Sequence, residues 1–366
     1  MPSRAPSARI VGVDTARGLA VLGMFVAHLG MVRHTEILSP TGWFFLADGR
    51  PSALFAMLAG IGLVFMTRSA QHNRGALAAQ RHRIVLRALV LYVLGYGLIL
   101  LGTPVAIILP AYAVLFVLAI PFLRLRPGPL LTIAAVVFAL MPQVLVLSRH
   151  AAYGAATPSG QLAILPVVAE IWSGYYPAIT WIGYILVGVA IGRMDLRRTR
   201  TQVALTGIGA IVAVLAYGAG QLAERAVPGR RGSLPFDLVT IEDHANTTPE
   251  MVGNVAFAAA VLGVCLLATS WRPLRVVLHP ISAAGAMSLS VYSMHIVYIA
   301  VLGVDSVWNP ESNGPLIWLV IATLIFAVLW QRFLGQGPLE RLLRAAITPF
   351  VPAQGQPRAG GAPRAD

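Results

Sequence analysis

Long apolar segments separated by short polar stretches make up most of the chain. Each segment is close to the ~20 residues that an α-helix needs to cross the hydrocarbon core of a bilayer. Arginines, prolines or small polar clusters mark the segment ends. The pattern predicts an all-α, polytopic integral membrane protein with about ten transmembrane helices. The predicted spans are 10–31, 52–67, 84–101, 104–123, 129–147, 171–192, 202–222, 251–270, 281–302 and 315–333.

The composition agrees with this pattern and excludes several chemistries. Hydrophobic residues make up 57% of the chain and charged residues only 11%, whereas ordinary globular chains carry roughly 25% charged residues. All 27 basic residues are arginine, which excludes a P-loop lysine and a pyridoxal-phosphate or retinal Schiff base. The single cysteine, Cys265, lies in an apolar segment, which excludes a disulfide framework and a cysteine-based metal site.

The distribution of charge predicts the orientation of the chain. If the N-terminus is cytoplasmic, most arginines fall in cytoplasmic segments and most acidic residues fall in outer ones. The positive-inside rule then places both termini in the cytoplasm, so the net charge of +13 reflects topology and not nucleic-acid binding. We therefore expect a multi-pass protein of the cell inner (cytoplasmic) membrane. Residues 1–350 are expected to form one transmembrane domain, and 351–366 a disordered cytoplasmic tail.

Three ionisable residues lie inside the first predicted span: Asp14, Arg17 and His28. Such residues are costly in a membrane and by default mark functional sites. Helical geometry places all three on about the same face, with Arg17 and His28 roughly 16 Å apart along the axis. The first span thus carries a polar stripe from one surface towards the other. The alternatives are an anchoring ion pair for Asp14 and Arg17, and an interhelical hydrogen bond for His28.

The outer connection between the first two spans is also rich in polar groups. It contains His34, Glu36, Asp48 and Arg50. A histidine whose tautomer is fixed by a carboxylate is a good general base near neutral pH. His34 could form such a pair with Asp48 or Glu36, and Arg50 could bind a phosphate or stabilise an oxyanion. An ordinary solvated loop is the alternative interpretation.

The ninth predicted span carries Ser288, Tyr292 and His295 on one face, at offsets of four and three residues. This face is too polar to contact lipid, so we expect it to line a cavity opposite the first helix. The alternative is hydrogen-bonded packing between helices. A further cluster, 242–244, reads Glu-Asp-His and could ligate a metal ion, but three adjacent residues in an acidic loop are usually solvated. No metal site is expected.

Several stretches resemble known membrane acyltransferases. The segment 9-RIVGVDTARGLAVLGMFVAHLG-30 is similar to the first helix of the heparan-α-glucosaminide N-acetyltransferase family and its bacterial YeiB-like relatives. It also resembles the acyltransferase-3 family, in which an arginine is followed by ten residues and a histidine, as Arg17 and His28 are here. The stretch 47-ADGRPSALFAMLAG-60 resembles the heparan acetyltransferase pattern, and 285-GAMSLSVY-292 and 335-GQGPLERLLR-344 resemble the YeiB-like group. Between about 100 and 250 only the hydropathy matches.

The resemblance implies transfer of an acyl group, and most simply an acetyl group, from cytoplasmic acetyl-CoA to an acceptor across the membrane, such as a glycan or amino sugar. The working histidine of the heparan family corresponds best to His34, although the family's Trp-Asn-Gly stretch after it is absent here. In acyltransferase-3 relatives the favoured base corresponds to His28, so the two histidines remain rivals. Asp48 corresponds to the aspartate at the start of the second helix. The histidine would act as general base or acyl carrier.

A cavity between the first, second and ninth helices would let donor and acceptor meet from opposite faces. Asp14, Arg17, Arg50 and the polar face of the ninth helix would bind substrate, and the arginine-rich segment 68–87 would guide the polyanionic donor. The expected partners are acyl-CoA, a glycan or other small acceptor and membrane lipids, with no nucleic acid; a homodimer is left open. The alternative functions are a proton-coupled secondary transporter or flippase, and a non-catalytic assembly or sensor protein.

Overall fold

The fold is helical throughout the part of the chain that the computed structural model describes, residues 9–32, 39–67, 74–153 and 166–350. A 3-10 helix, Pro40–Ala47, leads into the second α-helix, and a π-helical turn, Ala169–Ser173, precedes the seventh. The α-helices in chain order are α1 (Val11–Leu29), α2 (Arg50–Thr67), α3 (Arg74–Ile99), α4 (Leu109–Ala119), α5 (Pro127–Tyr153), α6 (Pro166–Val168), α7 (Ala178–Gly192), α8 (Thr199–Ala226), α9 (Leu234–Asp237), α10 (Thr248–Ser270), α11 (Arg272–Val277), α12 (His279–Ala286), α13 (Ser288–Leu302), α14 (Asp305–Trp308), α15 (Gly314–Phe333) and α16 (Pro338–Ile347).

The helices confirm an all-α, multi-pass membrane protein. Each of the ten predicted spans overlaps one or more of them. By length and apolar character, six helices of the described residues can cross a membrane, and seven can if α12 and α13 together form one bent span. Two shorter apolar helices, Leu109–Arg124 and Ala178–Gly192, fall below that length. The count of ten and the cytoplasmic location of both termini therefore stay predictions. The predicted tail, 351–366, lies outside the described residues.

The outward faces of the peripheral helices are apolar, as contact with lipid requires. Along α8 and α15, large aliphatic and aromatic side chains are exposed on the surface of the isolated chain. They are Ile208, Ile211, Val214, Leu215, Leu222, Ile317, Trp318, Ile321, Ile325 and Leu329. By contrast, α2 and α7 bury most of their residues, so they lie in the interior of the bundle.

Helix α1 packs closely against α12, and two glycines make this approach possible. A Cβ atom on Gly285 would lie 1.8 Å from the carbonyl oxygen of Asp14, and one on Gly18 would lie 2.1 Å from the carbonyl oxygen of Ile281. Small residues at such crossings let two backbones come together in a membrane protein. The crossing places the ionisable residues of α1 beside the polar α12–α13 segment.

The ninth predicted span is not one straight helix. Its two halves, α12 and α13, meet at an angle of 87°, and Met287 between them has non-helical backbone angles. The break leaves amide N–H groups without intrahelical acceptors at the start of α13. The carboxylate of Glu340, on α16, accepts hydrogen bonds from the N–H of Leu289 at 2.8 Å and from the Ser290 hydroxyl at 2.5 Å. A side chain distant in sequence thus caps the bend.

Candidate active site

The polar stripe of α1 begins with a buried ion pair. Asp14 is only 4% exposed, and its carboxylate contacts the Arg9 side chain at 2.5 Å and the Arg17 side chain at 3.3 Å. A buried carboxylate needs such partners because desolvation of an unpaired charge is costly. Asp14 therefore orients Arg17 rather than facing a cavity itself.

A cavity of about 290 Å³, called the large cavity below, lies beside the N-terminal half of α1. Its walls come from α1 to α4, the α12–α13 bend and α16. The charged and polar side chains in the lining are Arg17, Arg87, Tyr112, Ser288, Tyr292 and Glu340. Aromatic and aliphatic residues, among them Phe55, Leu91 and Phe116, form the rest. The cavity thus combines two guanidinium groups with apolar walls.

Arg87 is the less satisfied of these two arginines. Its Nε atom is buried and has no hydrogen-bond partner within the described ranges. Arg17, in contrast, is held by Asp14. Glu340, the acidic residue of this cavity, already accepts the hydrogen bonds at the start of α13. The large cavity is therefore suited to an anionic group, which would supply the acceptor that Arg87 lacks.

His28, near the other end of α1, is hydrogen-bonded to His295 of α13. The Nδ1 atom of His28 lies 3.2 Å from the Nε2 atom of His295, and the two rings are nearly parallel, at 12°. On its far side, His295 Nδ1 lies 2.5 Å from the carbonyl oxygen of Tyr292. His295 is fully buried.

This chain of contacts fixes the tautomers of two neutral imidazoles. A carbonyl oxygen only accepts, so His295 must donate its Nδ1–H to Tyr292 and keep a lone pair on Nε2. His28 must then donate its Nδ1–H to that lone pair. The Nε2 atom of His28 is left unprotonated and able to accept a proton. A base whose partner holds it in one tautomer is the arrangement that general-base catalysis requires.

A second, small cavity of about 30 Å³ has His28 in its wall. Its volume is enough for about one or two water molecules. Its other lining residues include Gly49, Ser52, Tyr176, His244 and Tyr292. Tyr292 also lines the large cavity, so its side chain lies at the boundary of the two. The hydroxyl oxygen of Tyr292 accepts a hydrogen bond from the Ile108 amide at 3.2 Å, which holds the ring in place.

Asp48 and Arg50 lie near the small cavity but do not line it. The Arg50 guanidinium donates to the Phe45 carbonyl oxygen at 2.5 Å and to the Tyr217 hydroxyl at 3.1 Å. Burial raises the pKa of Asp48. Burial, and next the charge of Asp48, raise the pKa of Asp243 to about 6. Asp48, just before α2, and Asp243, between α9 and α10, are thus close enough for their charges to interact, and a cationic group between them would relieve the repulsion.

The structure places most of the sequence-predicted site residues around the two cavities. Arg17, Ser288 and Tyr292 line the large one, His28 and Tyr292 line the small one, and His295 lies behind His28. Asp14 lies behind Arg17. His34 lies outside the described residues. Its rivalry with His28 therefore remains open.

Sequence reasoning did not place Arg87, His244 or Glu340 in the lining of a cavity. Arg87 was predicted only as the end of the arginine-rich segment 68–87 that would guide the donor, and His244 as part of a solvated acidic cluster. The unusual signal at Arg87 is its position 14 residues into α3, well inside an apolar helix. Nothing in the sequence pairs His244 with His28. Across the described residues, no three histidine, cysteine or acidic side chains are grouped closely enough to hold a metal ion.

Comparison with protein families identifies the class. The model of the catalytic region of heparan-α-glucosaminide N-acetyltransferase matches residues 9–222, more than half of the chain. The chain belongs to this family. It is thus a membrane acetyltransferase-like protein. A second family model, described as a protein of unknown function (DUF418), matches residues 195–348. No curated protein matches the chain.

Membership of the heparan-α-glucosaminide N-acetyltransferase family extends the sequence resemblance. The match continues through the middle of the chain to residue 222, where hydropathy alone had been similar. The residues that line the small cavity nevertheless come from both matched regions. His28, Ser52 and Tyr176 come from the acetyltransferase match, and His244 and Tyr292 come from the second. The candidate active site is therefore assembled across the whole membrane domain.

Proposed function

We propose that the protein transfers an acetyl group from cytoplasmic acetyl-CoA to an amine or hydroxyl group of an acceptor on the outer side of the membrane, such as an amino sugar or glycan. One observation carries this proposal. Tyr292 lies at the boundary of a large cavity with two arginines and a small cavity with an oriented histidine base. Donor and acceptor would reach this boundary from opposite sides.

The large cavity suits the donor. The Arg17 and Arg87 side chains offer charge to phosphate oxygens, for which guanidinium groups are well matched. The apolar wall, including Phe55 and Phe116, suits the uncharged arm that carries the thioester. A volume of about 290 Å³ encloses only part of such a molecule, so the nucleotide end would remain at the mouth.

The small cavity supplies the base, and the reaction would take place at its boundary with the large cavity. The acceptor amine or hydroxyl attacks the thioester carbonyl carbon while His28 Nε2 removes its proton. The carbon–sulfur bond then breaks, and the thiolate leaves with its electron pair and receives the proton from His28. The alternative is a two-step reaction in which His28 itself carries the acetyl group. In either route, His295 holds the His28 ring in its reactive tautomer.

The positive-inside rule supports the sidedness of the proposal. The first helix starts from the arginine-rich side, so its N-terminal half and the large cavity face the cytoplasm, where acetyl-CoA is made available. The small cavity then faces outward. A multi-pass protein of the cell inner membrane with both termini in the cytoplasm fits this arrangement.

Release of free thiol tests the proposal. Purified protein in liposomes would be given acetyl-CoA together with glucosamine or with an envelope extract as acceptor, and free CoA would be measured. We expect thiol release that requires acceptor and is lost in His28→Ala. The matched control is His82→Ala, because His82 is exposed on α3 and lines neither cavity.

Two outcomes would count against the proposal. Wild-type protein that consumes no acetyl-CoA with either acceptor contradicts an acetyltransferase. Proton-driven uptake of a solute without thiol release would assign the polar stripe of α1 to transport instead. Full activity in His28→Ala would leave the reaction class standing and remove His28 as its base.

A further inference from the structure

A second histidine, from a different part of the chain, lines the small cavity. His244 lies in the connection between α9 and α10, outside the region that matches the acetyltransferase family. Its ring lines the small cavity together with His28. The two imidazoles are close enough that the charge of His28, after burial, contributes to lowering the pKa of His244 to about 4.

The backbone at His244 is held in an unusual conformation. Its φ angle is +58°, in the left-handed region that only a few per cent of non-glycine residues adopt, with asparagine, aspartate and histidine the most frequent among them. The amide N–H of His244 donates to Glu250 at 3.1 Å, and that of Asn246, also at φ +58°, donates to the same carboxylate at 2.7 Å. Strain of this kind persists where the surrounding structure fixes it, and it clusters at functional sites.

The His244 ring is fixed by aromatic neighbours. The Trp181 ring lies nearly parallel to it, at 9° and with centroids 6.1 Å apart. The centroids of Tyr175 and Tyr176 lie 4.4 and 5.4 Å away. Trp181 is itself tied to the same connection by a 2.7 Å hydrogen bond to Asn246. The imidazole therefore has a fixed position without a charged partner among these neighbours.

One polar atom of this ring is unused. His244 Nδ1 is buried and has no hydrogen-bond partner among the residues whose structure is described. A buried polar atom without a partner is uncommon and calls for an explanation, such as a ligand or a catalytic role. The ring lines the same small cavity as His28, the proposed base, so a substrate atom is the partner that the geometry favours.

We propose that His244 is a catalytic residue of the acetyl transfer, and that its neutral imidazole donates a hydrogen bond to the oxygen of the reacting carbonyl. This inference rests on the proposed function. As the acceptor's lone pair forms the new bond to the carbonyl carbon, the C=O electron pair moves onto oxygen, and the His244 N–H stabilises that charge. The pair returns as the carbon–sulfur bond breaks, and His28 carries the proton from acceptor to thiolate.

A pair of substitutions of nearly equal shape separates a hydrogen-bond donor from a structural residue. His244→Asn and His244→Asp both tolerate the left-handed backbone, but only the asparagine can donate. Removing an oxyanion donor costs about 10²- to 10³-fold in kcat. We expect kcat for thiol release to fall at least about 100-fold in His244→Asp and no more than about 10-fold in His244→Asn, with the KM for acetyl-CoA little changed in both.

Further measurements complete the test. Glu242→Gln, in the same connection, is the control and should behave as wild type, and thermal unfolding would verify that each variant folds. In His244→Gly, which keeps the backbone and removes the ring, kcat should still fall at low pH as it does in the wild type, because protonation of the base His28 causes that fall. Equal losses of kcat in the asparagine and aspartate variants, or disappearance of this low-pH fall in the glycine variant, would overturn the donor role.

The two proposals fail in different ways. If thiol release needs His28 but is the same in His244→Gly, the acetyltransferase stands and the role of His244 falls. If the wild-type protein releases no thiol with any acceptor supplied, the proposed function fails and the role of His244 fails with it.

Discussion

His28 Nδ1 lies 3.2 Å from His295 Nε2, and these two atoms join residues 267 positions apart in the chain. The contact brings the first helix of the acetyltransferase match against a helix from the second match. It also determines which nitrogen of His28 is left with a lone pair. On the proposed function His295 is a positioning residue, because it would act on the reaction only through His28.

Replacing His295 should slow the reaction without weakening donor binding. In His295→Phe the His28 ring keeps an aromatic neighbour but loses the acceptor for its Nδ1–H. Because general-base catalysis contributes about 10²- to 10⁴-fold, we expect kcat to fall at least about 10-fold, with the KM for acetyl-CoA little changed. Steady-state thiol release measures both. Partial recovery in His295→Gln, which retains an acceptor, would separate positioning from packing, and equal losses in both variants would contradict it.

Arg87 should act on donor affinity. In Arg87→Gln the large cavity loses one of its two guanidinium groups. A hydrogen bond to a charged group contributes about 1.5–3 kcal/mol, so we expect the KM for acetyl-CoA to rise roughly 10- to 100-fold, with a smaller effect on kcat. Arg83→Gln, on the same helix but outside the cavity lining, is the matched control. An unchanged KM would exclude contact between Arg87 and the donor.

Asp243 should make stability depend on pH. Its pKa is raised from 3.8 to about 6 by burial and by Asp48. Between these values the folded protein binds more protons than the unfolded chain, so this carboxyl group lowers stability as the pH rises from about 4 to 6. Asp243→Asn removes the effect, and its Tm should exceed that of wild type at pH 8 and converge with it near pH 4.

Thermal unfolding in detergent across this range checks the prediction. Asp305→Asn, at an exposed aspartate beyond the site, provides the control. A Tm difference for Asp243→Asn that stays constant with pH would assign the effect to something other than ionisation of this group.

Gly285 should be intolerant of even one added methyl group. A Cβ atom there would lie 1.8 Å from the Asp14 carbonyl oxygen, so Gly285→Ala must separate α1 from α12. We expect a lower Tm and loss of thiol release. Gly97→Ala on α3 is the control, because beyond the adjoining backbone of α3 itself no atom lies within 4 Å of the added Cβ. That change should be neutral or stabilising by up to about 1 kcal/mol. A folded, active Gly285→Ala protein would show that the crossing can relax.

Helical periodicity predicted the parts of the site that lie on helices. The spacing of Arg17 and His28 along α1 indicated one polar face, and the structure sets that face against Tyr292 and His295 of α13. Apolar segment length likewise located the helices. These features depend on positions within one regular element, which a sequence determines directly.

The remaining features depend on contacts between distant parts of the chain. The bend at Met287 is stabilised by Glu340 on α16. No local sequence pattern predicts a helix cap from a residue more than 50 positions away. His244 reaches the small cavity through a connection with left-handed backbone angles, which has no repeating period. The sequence predicted Arg87 only as the end of a cytoplasmic arginine-rich segment that guides the donor, and the packing of α3 places its side chain in the lining of the large cavity. Long-range packing decided all three.

The position of Tyr292 in the lining of both cavities bears on the distance that a transferred group would travel across the bilayer. The hydrocarbon core is roughly 30 Å thick, yet the two cavities come close enough together that the Tyr292 side chain lines both. On the proposed function, the group that crosses is a two-carbon acetyl fragment, which would move by little more than a bond length as it passes from thiol to acceptor. CoA would then stay on one side of the membrane and the acceptor on the other. Such a transfer would need no ion gradient, because the free energy of the thioester itself would drive it.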